Sequence, residues 1–268
     1  QSNQFWCWSR FDLQDATDQL QYVHTYKVTC LSWGSRKLDA SRTQKKKPIN
    51  KQMKTETNTL KDGTVITGFK NDLITNGHKT TNNFYEFQML EFIRDNIPNG
   101  VMVDVGANIG NHTIFLAKYC ATKVMAFEPF PDTFKLLDKN ITDNGLRFNV
   151  IASNYGLSYS NETVFMKSVD GNAGMNKVDS EGDAQVELIP FDLILDLNQP
   201  ITLIKLDCEG YEENALLGMI ETVKKHKPAL FIECQTEKEL VAISKILIPL
   251  GYSNKQRFNY TPTYFFSI

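Results

Sequence analysis

Residues 101–110 read VMVDVGANIG, an apolar run that ends in an acid, a valine and a glycine-bearing turn. Val101–Val105 has the composition of a strand buried on both faces, and Ile114, Phe115 and Ala117 open an amphipathic helix just beyond it. The turn therefore lies at the carboxyl end of a strand. Gly106 and Gly110 let the backbone bend sharply there and let a ligand approach the main chain. The dinucleotide fingerprint needs three glycines so that pyrophosphate can rest on a helix N-terminus, and this chain carries Asn108 in the middle position. A ligand without phosphates suits the turn better. A glycine-turned junction with no ligand is the competing reading.

Lys123–Phe127 is a second apolar strand, and Glu128 stands at its end, 24 residues after Asp104. Rossmann-like folds place the acceptor for ribose hydroxyls about 20 residues beyond the glycine turn. S-adenosylmethionine has an amino-acid end, a ribose, an adenine and a cationic sulfur, so acids beside the strand ends suit it. Asp104, Gly106, Asn108, Gly110 and Glu128 are the expected cofactor contacts, with Asn154 beyond the third strand as a sixth. Pro129 and Pro131 break the strand, and Asp132 is positioned to cap a helix over Phe134–Asn140.

Outward from this core, Thr64–Phe69 alternates as a short strand, Asn76-Gly77 has turn composition, and Phe84–Asn96 has helical spacing with Phe87, Leu90 and Ile93 or Phe92 inward. Downstream, strands are expected at Phe148–Ala152, Ile201–Leu206 and Ala229–Glu233. Helices are expected at Tyr211–His226 and Glu237–Ile248, and a hairpin from Gly251–Phe258 and Thr263–Ile268. Strands alternating with helices imply an α/β, doubly wound, mostly parallel sheet with an antiparallel C-terminal hairpin. Ser168–Asp183 is polar and glycine-rich and is expected as a loop that can cover a pocket.

DVGANIGNHTIFLA, then AFEP, then LIKLDCEGYEENALLGM with PALFIE, resembles the FkbM family of S-adenosylmethionine-dependent methyltransferases over roughly residues 84–268. The IKxDxEGxE segment is the distinctive part. The resemblance implies a class I methyltransferase fold, S-adenosylmethionine as cofactor, and methyl transfer to a hydroxyl of a small molecule, sugar or glycan.

Ligands of open α/β sheets bind outside the strand carboxyl ends, where strand order reverses. Asp207 and Glu209 end the Ile201–Leu206 strand, Glu233 ends the next, and Lys205 faces the same side as Asp207. Methyl transfer to oxygen needs alignment and removal of a proton, and a carboxylate in reach of the hydroxyl can take it. Asp207 is the first candidate base, Glu233 the second, and Lys205 completes the catalytic set. Alternatively the carboxylates hold a divalent cation that lowers the hydroxyl pKa. No histidine-rich cluster supports zinc. Glu209, Asn172 and Asn176 are candidate acceptor contacts; the competing reading for Glu209 is a cap on the helix beginning near Tyr211. His112 either faces the pocket or is structural.

Residues 1–57 hold ten Lys/Arg against five Asp/Glu, which leaves 19 against 26 for residues 58–268. The first segment is an aromatic and basic extension or linker, and its aromatics from Phe5 to Trp33 suit packing on the catalytic body, a preceding domain or a partner chain. Residues 58–268 form the methyltransferase domain. Their acidic balance argues against nucleic acid and so against the alternative of RNA ribose 2′-O-methylation. A docking module without catalysis is a third reading, opposed by the intact motif acids. Five scattered cysteines without C-x-x-C spacing suit reduced thiols and a cytoplasmic location, and no apolar run reaches membrane-spanning length. Asn111 heads an N-x-T sequon inside the cofactor turn, where a glycan would not fit.

Overall fold

A computed structural model describes residues 54–167, 177–182, 184–194 and 199–268. The extension before residue 54 and the candidates Asn172 and Asn176 lie outside the described residues. The body is a seven-stranded sheet. Its parallel core comprises β3 (Val101–Val105), β4 (Lys123–Phe127), β5 (Val150–Ser153), β10 (Ile201–Leu206) and β11 (Ala229–Glu233). The hairpin of β12 (Ser253–Phe258) and β13 (Thr263–Ser267) adds to β11 antiparallel. The order is β12-β13-β11-β10-β3-β4-β5, so the strand order reverses between β3 and β10, which run parallel, and a ligand crevice is expected there. All five residues of β3 are buried, Asp104 among four apolar ones, as fits a strand in a sheet covered on both faces.

On one face pack α3 (Asn111–Tyr119) and α4 (Pro131–Asp143); on the other lie α5 (Glu212–Leu217), α6 (Ile220–His226) and α7 (Glu237–Leu247). α3 is buried from Asn111 to Ala117, so the amphipathic helix expected here is a central one. Its outer side is covered by α2 (Phe87–Asn96) and the segment before it, with Phe84 edge-on to Phe115 at 5.2 Å between centroids. The buried face of α2 is Met89, Leu90 and Ile93.

A hairpin of β1 (Thr55–Thr59) and β2 (Val65–Phe69) precedes these helices, and β1 runs across residue 57/58. Two asparagines of α4 stand in for a neighbouring strand along β2. The Asn140 amide accepts from Thr67 N at 2.8 Å and donates to Thr67 O and Ile109 O at 2.8 Å, while Asn144 does the same for Val65. Asn140 thereby ties the hairpin to the glycine turn.

Several local expectations give way to tertiary contacts. Asn76-Gly77 is not a turn but part of α1 (Leu73–Thr81), which the Asp72 carboxylate caps through Ile74 N and Thr75 N. A side chain at Gly77 would come within 3.0 Å of the Tyr85 ring, so this glycine serves helix packing. The helix at 131–143 begins at Pro131, and Asp132 does not cap it; it lies in the first turn and pairs with Lys135 at 2.7 Å. Phe148 is 93 % exposed and stands outside β5.

The helix expected over Tyr211–His226 is two helices broken at Gly218–Met219. A side chain at Gly218 would stand 2.0 Å from Ser158 O, and Gly218 O accepts the Asp192 N–H. Asp192 in turn caps α6 through Glu221 N and Thr222 N at 3.0 Å. The loop expected across 168–183 is flanked by a second sheet, formed by β6 (Gly156–Leu157), β7 (Glu162–Lys167), β8 (Lys177–Val178) and β9 (Ala184–Ile189) in the order β6-β9-β7-β8. It buries Met166, Val186 and Leu188 against Phe130.

Candidate active site

A cavity of about 360 Å³ opens at the carboxyl ends of β3, β4, β10 and β11. Val105 and Phe127 line it from the main sheet, Leu157, Met166, Val178 and Leu188 from the second sheet. Its polar wall includes Glu86, Asn108, Glu128, Asp207, Glu209 and Glu233, with Lys205 and His112 among them.

The glycine turn has a steric logic of its own. Gly106 has φ +73°, and a side chain there would collide with Asp207 O at 1.7 Å, so this glycine lets β3 and β10 continue side by side past their ends. At Gly110, φ is +94° and the missing side chain makes room for Leu137. Gly106 lines the cavity and Gly110 does not. Asn108 adopts φ +51°, turning its backbone N–H onto Glu128 Oε2 at 2.9 Å. Phe130 N donates to the other carboxylate oxygen at 2.8 Å. Burial raises the Glu128 pKa to about 7 against the pull of these two N–H groups. Asn154 stands behind this corner; its amide donates to the carbonyls of Glu128 and Pro129 at 2.8 and 2.9 Å and holds the turn that aims Glu128.

Asp104 is fully buried beneath the cavity wall, accepting from Thr113 Oγ1 at 2.6 Å. Its other oxygen is 3.3 Å from Lys205 Nζ, which lies 3.2 Å from Asp207 Oδ2. Lys205 thus joins a buried carboxylate to one that faces the cavity. Burial works against its charge, but Asp207 and Asp104 outweigh burial and raise its pKa, so Lys205 stays an ammonium and is no proton acceptor at neutral pH.

Asp207, Glu209 and Glu233 converge, each offering an oxygen within 4.8 Å of the others, a spacing that could also hold a metal ion. Burial works against ionisation of Asp207, but Lys205 and then His112 outweigh it and keep the carboxyl below its usual range. Glu233 goes the other way: burial, followed by the charges of Asp207 and Glu209, pushes it up to about 9. Burial and Asp207 push Glu209 up to about 7. At neutral pH the hydrogen-bonded Asp207–Glu233 pair therefore holds one proton, on Glu233. Gln235 Nε2 spans Glu209 and Glu233 at 3.2 and 3.3 Å.

Glu209 is not the cap of α5. No side chain caps α5 at Tyr211; Glu212 in its first turn reaches back to accept from Cys208 N at 2.7 Å and Gly210 N at 3.1 Å, and Glu209 stands at φ +53° with its carboxylate toward Glu233 and Gln235. His112 does face the cavity, with Nε2 3.1 Å from Glu86 Oε2. Glu86 has φ +57° before α2. Glu86, Tyr85 and the apolar wall from the second sheet went unnoticed in the sequence, since all depend on contacts between distant segments. Asn111 lies buried with its amide bridging the Tyr85 backbone, consistent with a sequon that cannot carry a glycan. Cys120, Cys208 and Cys234 are free thiols, and only Cys208 of these lines the cavity.

Comparison with known proteins gives this arrangement a context. The model of the methyltransferase FkbM domain matches residues 104–254. The chain is similar to the hexuronic acid methyltransferase AglP of Haloferax volcanii, 36 % identical over 129 residues, which is 46 % of this chain and 52 % of that protein. It is also similar to the methyltransferase sdnD of Sordaria araneosa, 36 % identical over 83 residues, or 29 % of this chain and 32 % of that one. The chain thus spans about half, or less, of the length of these curated relatives. Among solved structures, a methyltransferase FkbM from Methylobacillus flagellatus aligns with a TM-score of 0.49 and 23 % identity, over 63 % of this chain and 44 % of that one.

Proposed function

The chain belongs to the FkbM methyltransferase family, and from that premise we propose that it moves a methyl group from S-adenosylmethionine to a hydroxyl of a sugar, glycan or other small molecule. The observation that carries the reading is the ionised Asp207 at the cavity surface, held by the buried Lys205 ammonium beside a protonated Glu233. The hexuronic acid methyltransferase relative supports a sugar acceptor.

The residues present fit the cofactor. Glu128 is a buried carboxylate whose two oxygens each take one backbone N–H and keep lone pairs for ribose hydroxyls. Phe127, Leu157, Met166 and Leu188 offer an apolar surface for a purine, and the acids of the opposite end suit a cationic sulfur. When bound, S-adenosylmethionine supplies an electrophilic methyl carbon on a positively charged leaving group. Asp104, out of the cavity wall, serves the site by fixing Lys205.

Asp207 then acts as the general base. Its carboxylate accepts the hydroxyl proton as the acceptor oxygen takes the methyl carbon. Lys205 keeps that carboxylate ionised and directed, while Glu233 donates a hydrogen bond to it and limits its rotation. Positioning of this kind and general-base assistance each contribute to rate, the latter typically about 10²–10⁴-fold. The test is a screen of hydroxylated acceptors, monosaccharides and glycan ends first, with isotopically labelled methyl donor. Label recovered as an O-methyl ether supports the reading; label on nitrogen or carbon overturns it.

A further inference from the structure

The charges around the cavity do not balance among the described residues. Five carboxyl groups line it, those of Glu86, Glu128, Asp207, Glu209 and Glu233, of which Glu233 holds the proton it shares with Asp207, against one lysine and one histidine. The lysine is already engaged, shared between Asp207 and the buried Asp104, and the His112 ring sits against Glu86. Glu128 and Glu209 have no lysine, arginine or histidine among the described residues within ion-pair distance. Their hydrogen-bond donors are neutral: two backbone N–H groups for Glu128 and the Gln235 amide for Glu209.

We infer that this cavity selects its occupants by charge, favouring the cationic methyl donor over its uncharged-sulfur product and a neutral or amino sugar over a uronic acid as acceptor. The acceptor half rests on the proposed sugar methylation; the donor half rests only on the cavity's occupation by S-adenosylmethionine. The physical reason is that a carboxylate in a partly buried wall, unpaired with a cation, loses hydration without an ion-pair gain, so an entering positive charge is stabilised and an entering negative one repelled. S-adenosylmethionine carries one more positive charge than S-adenosylhomocysteine, so the preference weakens the hold on the site once the methyl has left. A uronate acceptor adds a negative charge to the same wall, a disadvantage that an otherwise identical neutral hexoside lacks.

Calorimetry at pH 8 with S-adenosylmethionine and S-adenosylhomocysteine tests the donor half without any acceptor. Binding of the methylated form tighter by about tenfold, ~1.4 kcal/mol, with the gap narrowed in Glu209→Gln, supports the inference; equal or tighter binding of the product overturns it. The acceptor half uses three matched glycosides, a neutral hexoside, its 2-amino analogue and its uronate, with labelled donor. Uronate turnover below about a tenth of the neutral sugar's supports the inference, and uronate as the preferred acceptor overturns it. If none of the three is methylated while the donor gap is present, charge selection stands and the sugar reading fails. If sugars are methylated but the donor gap is absent, the sugar reading stands and charge selection fails.

Discussion

The two ends of the cavity hold their carboxylates in different ways. At the β4 end, Glu128 is fixed by two backbone N–H groups, and an asparagine holds the turn from behind. At the β10 and β11 ends, Asp207, Glu209 and Glu233 are held by one another, by Lys205 and by a glutamine amide. Backbone donors cannot titrate or change rotamer, so the first end is suited to gripping a ligand in one pose. Side-chain acids that share protons have closely spaced protonation states, so the second end is suited to moving a proton. Binding and chemistry are thereby assigned to opposite ends of the same crevice.

The largest effect is expected at the proton-sharing end. Asp207→Asn keeps shape and removes the base, and turnover should fall about 10²–10⁴-fold, with donor affinity measured by calorimetry changing far less. An Asn variant with full activity would remove Asp207 from the mechanism and move the role to Glu233. Activity assays with added magnesium or with chelator sharpen the result. Loss of activity of the unmutated chain on chelation assigns the three carboxylates to a metal.

Next comes the link beneath both ends. Lys205→Met leaves Asp104 buried with its ion-pair partner gone, which should cost about 3–5 kcal/mol of folding stability, read as a lowered denaturation midpoint. A midpoint close to that of the unmutated chain would mean that the Asp104–Lys205 pair contributes little to folding. Smaller in scale, Glu128→Ala removes the acceptor at the gripping end. Each charge-assisted hydrogen bond lost should weaken donor binding by about 1.5–3 kcal/mol; unchanged affinity would break the division between the two ends.

The smallest effect is on stability against pH. Burial and the charges of Asp207 and Glu209 push Glu233 up to about 9 in the folded chain from its ordinary 4.5, so between these values the folded chain binds more protons than the unfolded one. Its contribution is full below about 4.5 and is lost as pH rises through about 9; Glu128 and Glu209 behave alike up to about 7. Asp207, lowered instead, contributes above its ordinary range and loses that only in acid. Thermal unfolding of the unmutated chain should therefore shift downward between pH 7 and 9, and the shift should shrink in Glu233→Gln. Equal slopes for the two would place the proton of the pair elsewhere.

The parts of the fold legible from residues alone are those with strong local pattern. β3, β4, β10 and β11 fall where the apolar runs lie, because a strand covered on both faces is mostly apolar along its length, even with Asp104 and Lys205 buried within two of them. Asp207, Glu209 and Glu233 were legible as strand-end acids for the same reason, since the parallel sheet places every such end on one rim. The second sheet was not legible. β7 alternates exposed and half-buried residues and β8 is two residues long, so neither carries a periodic signal strong enough to separate it from a polar loop. The turn expected at Asn76-Gly77 and the continuous helix expected over Tyr211–His226 failed for a related reason: the roles of Gly77 and Gly218 lie in tertiary contacts with Tyr85 and Ser158.

By itself the sequence determined the main strands of an α/β methyltransferase body, the glycine turn, and the acids that rim the crevice, because hydrophobic period and strand-end position are local properties of the chain. Only the tertiary structure decided what each acid is. Asp104 is buried against Lys205, Glu128 accepts from two fixed backbone N–H groups, and Asp207 is held below the usual carboxylate range while Glu233 is pushed above it. Those differences come from burial and from charges brought within a few ångströms across separate strands, and neither is encoded in the spacing of residues along the chain.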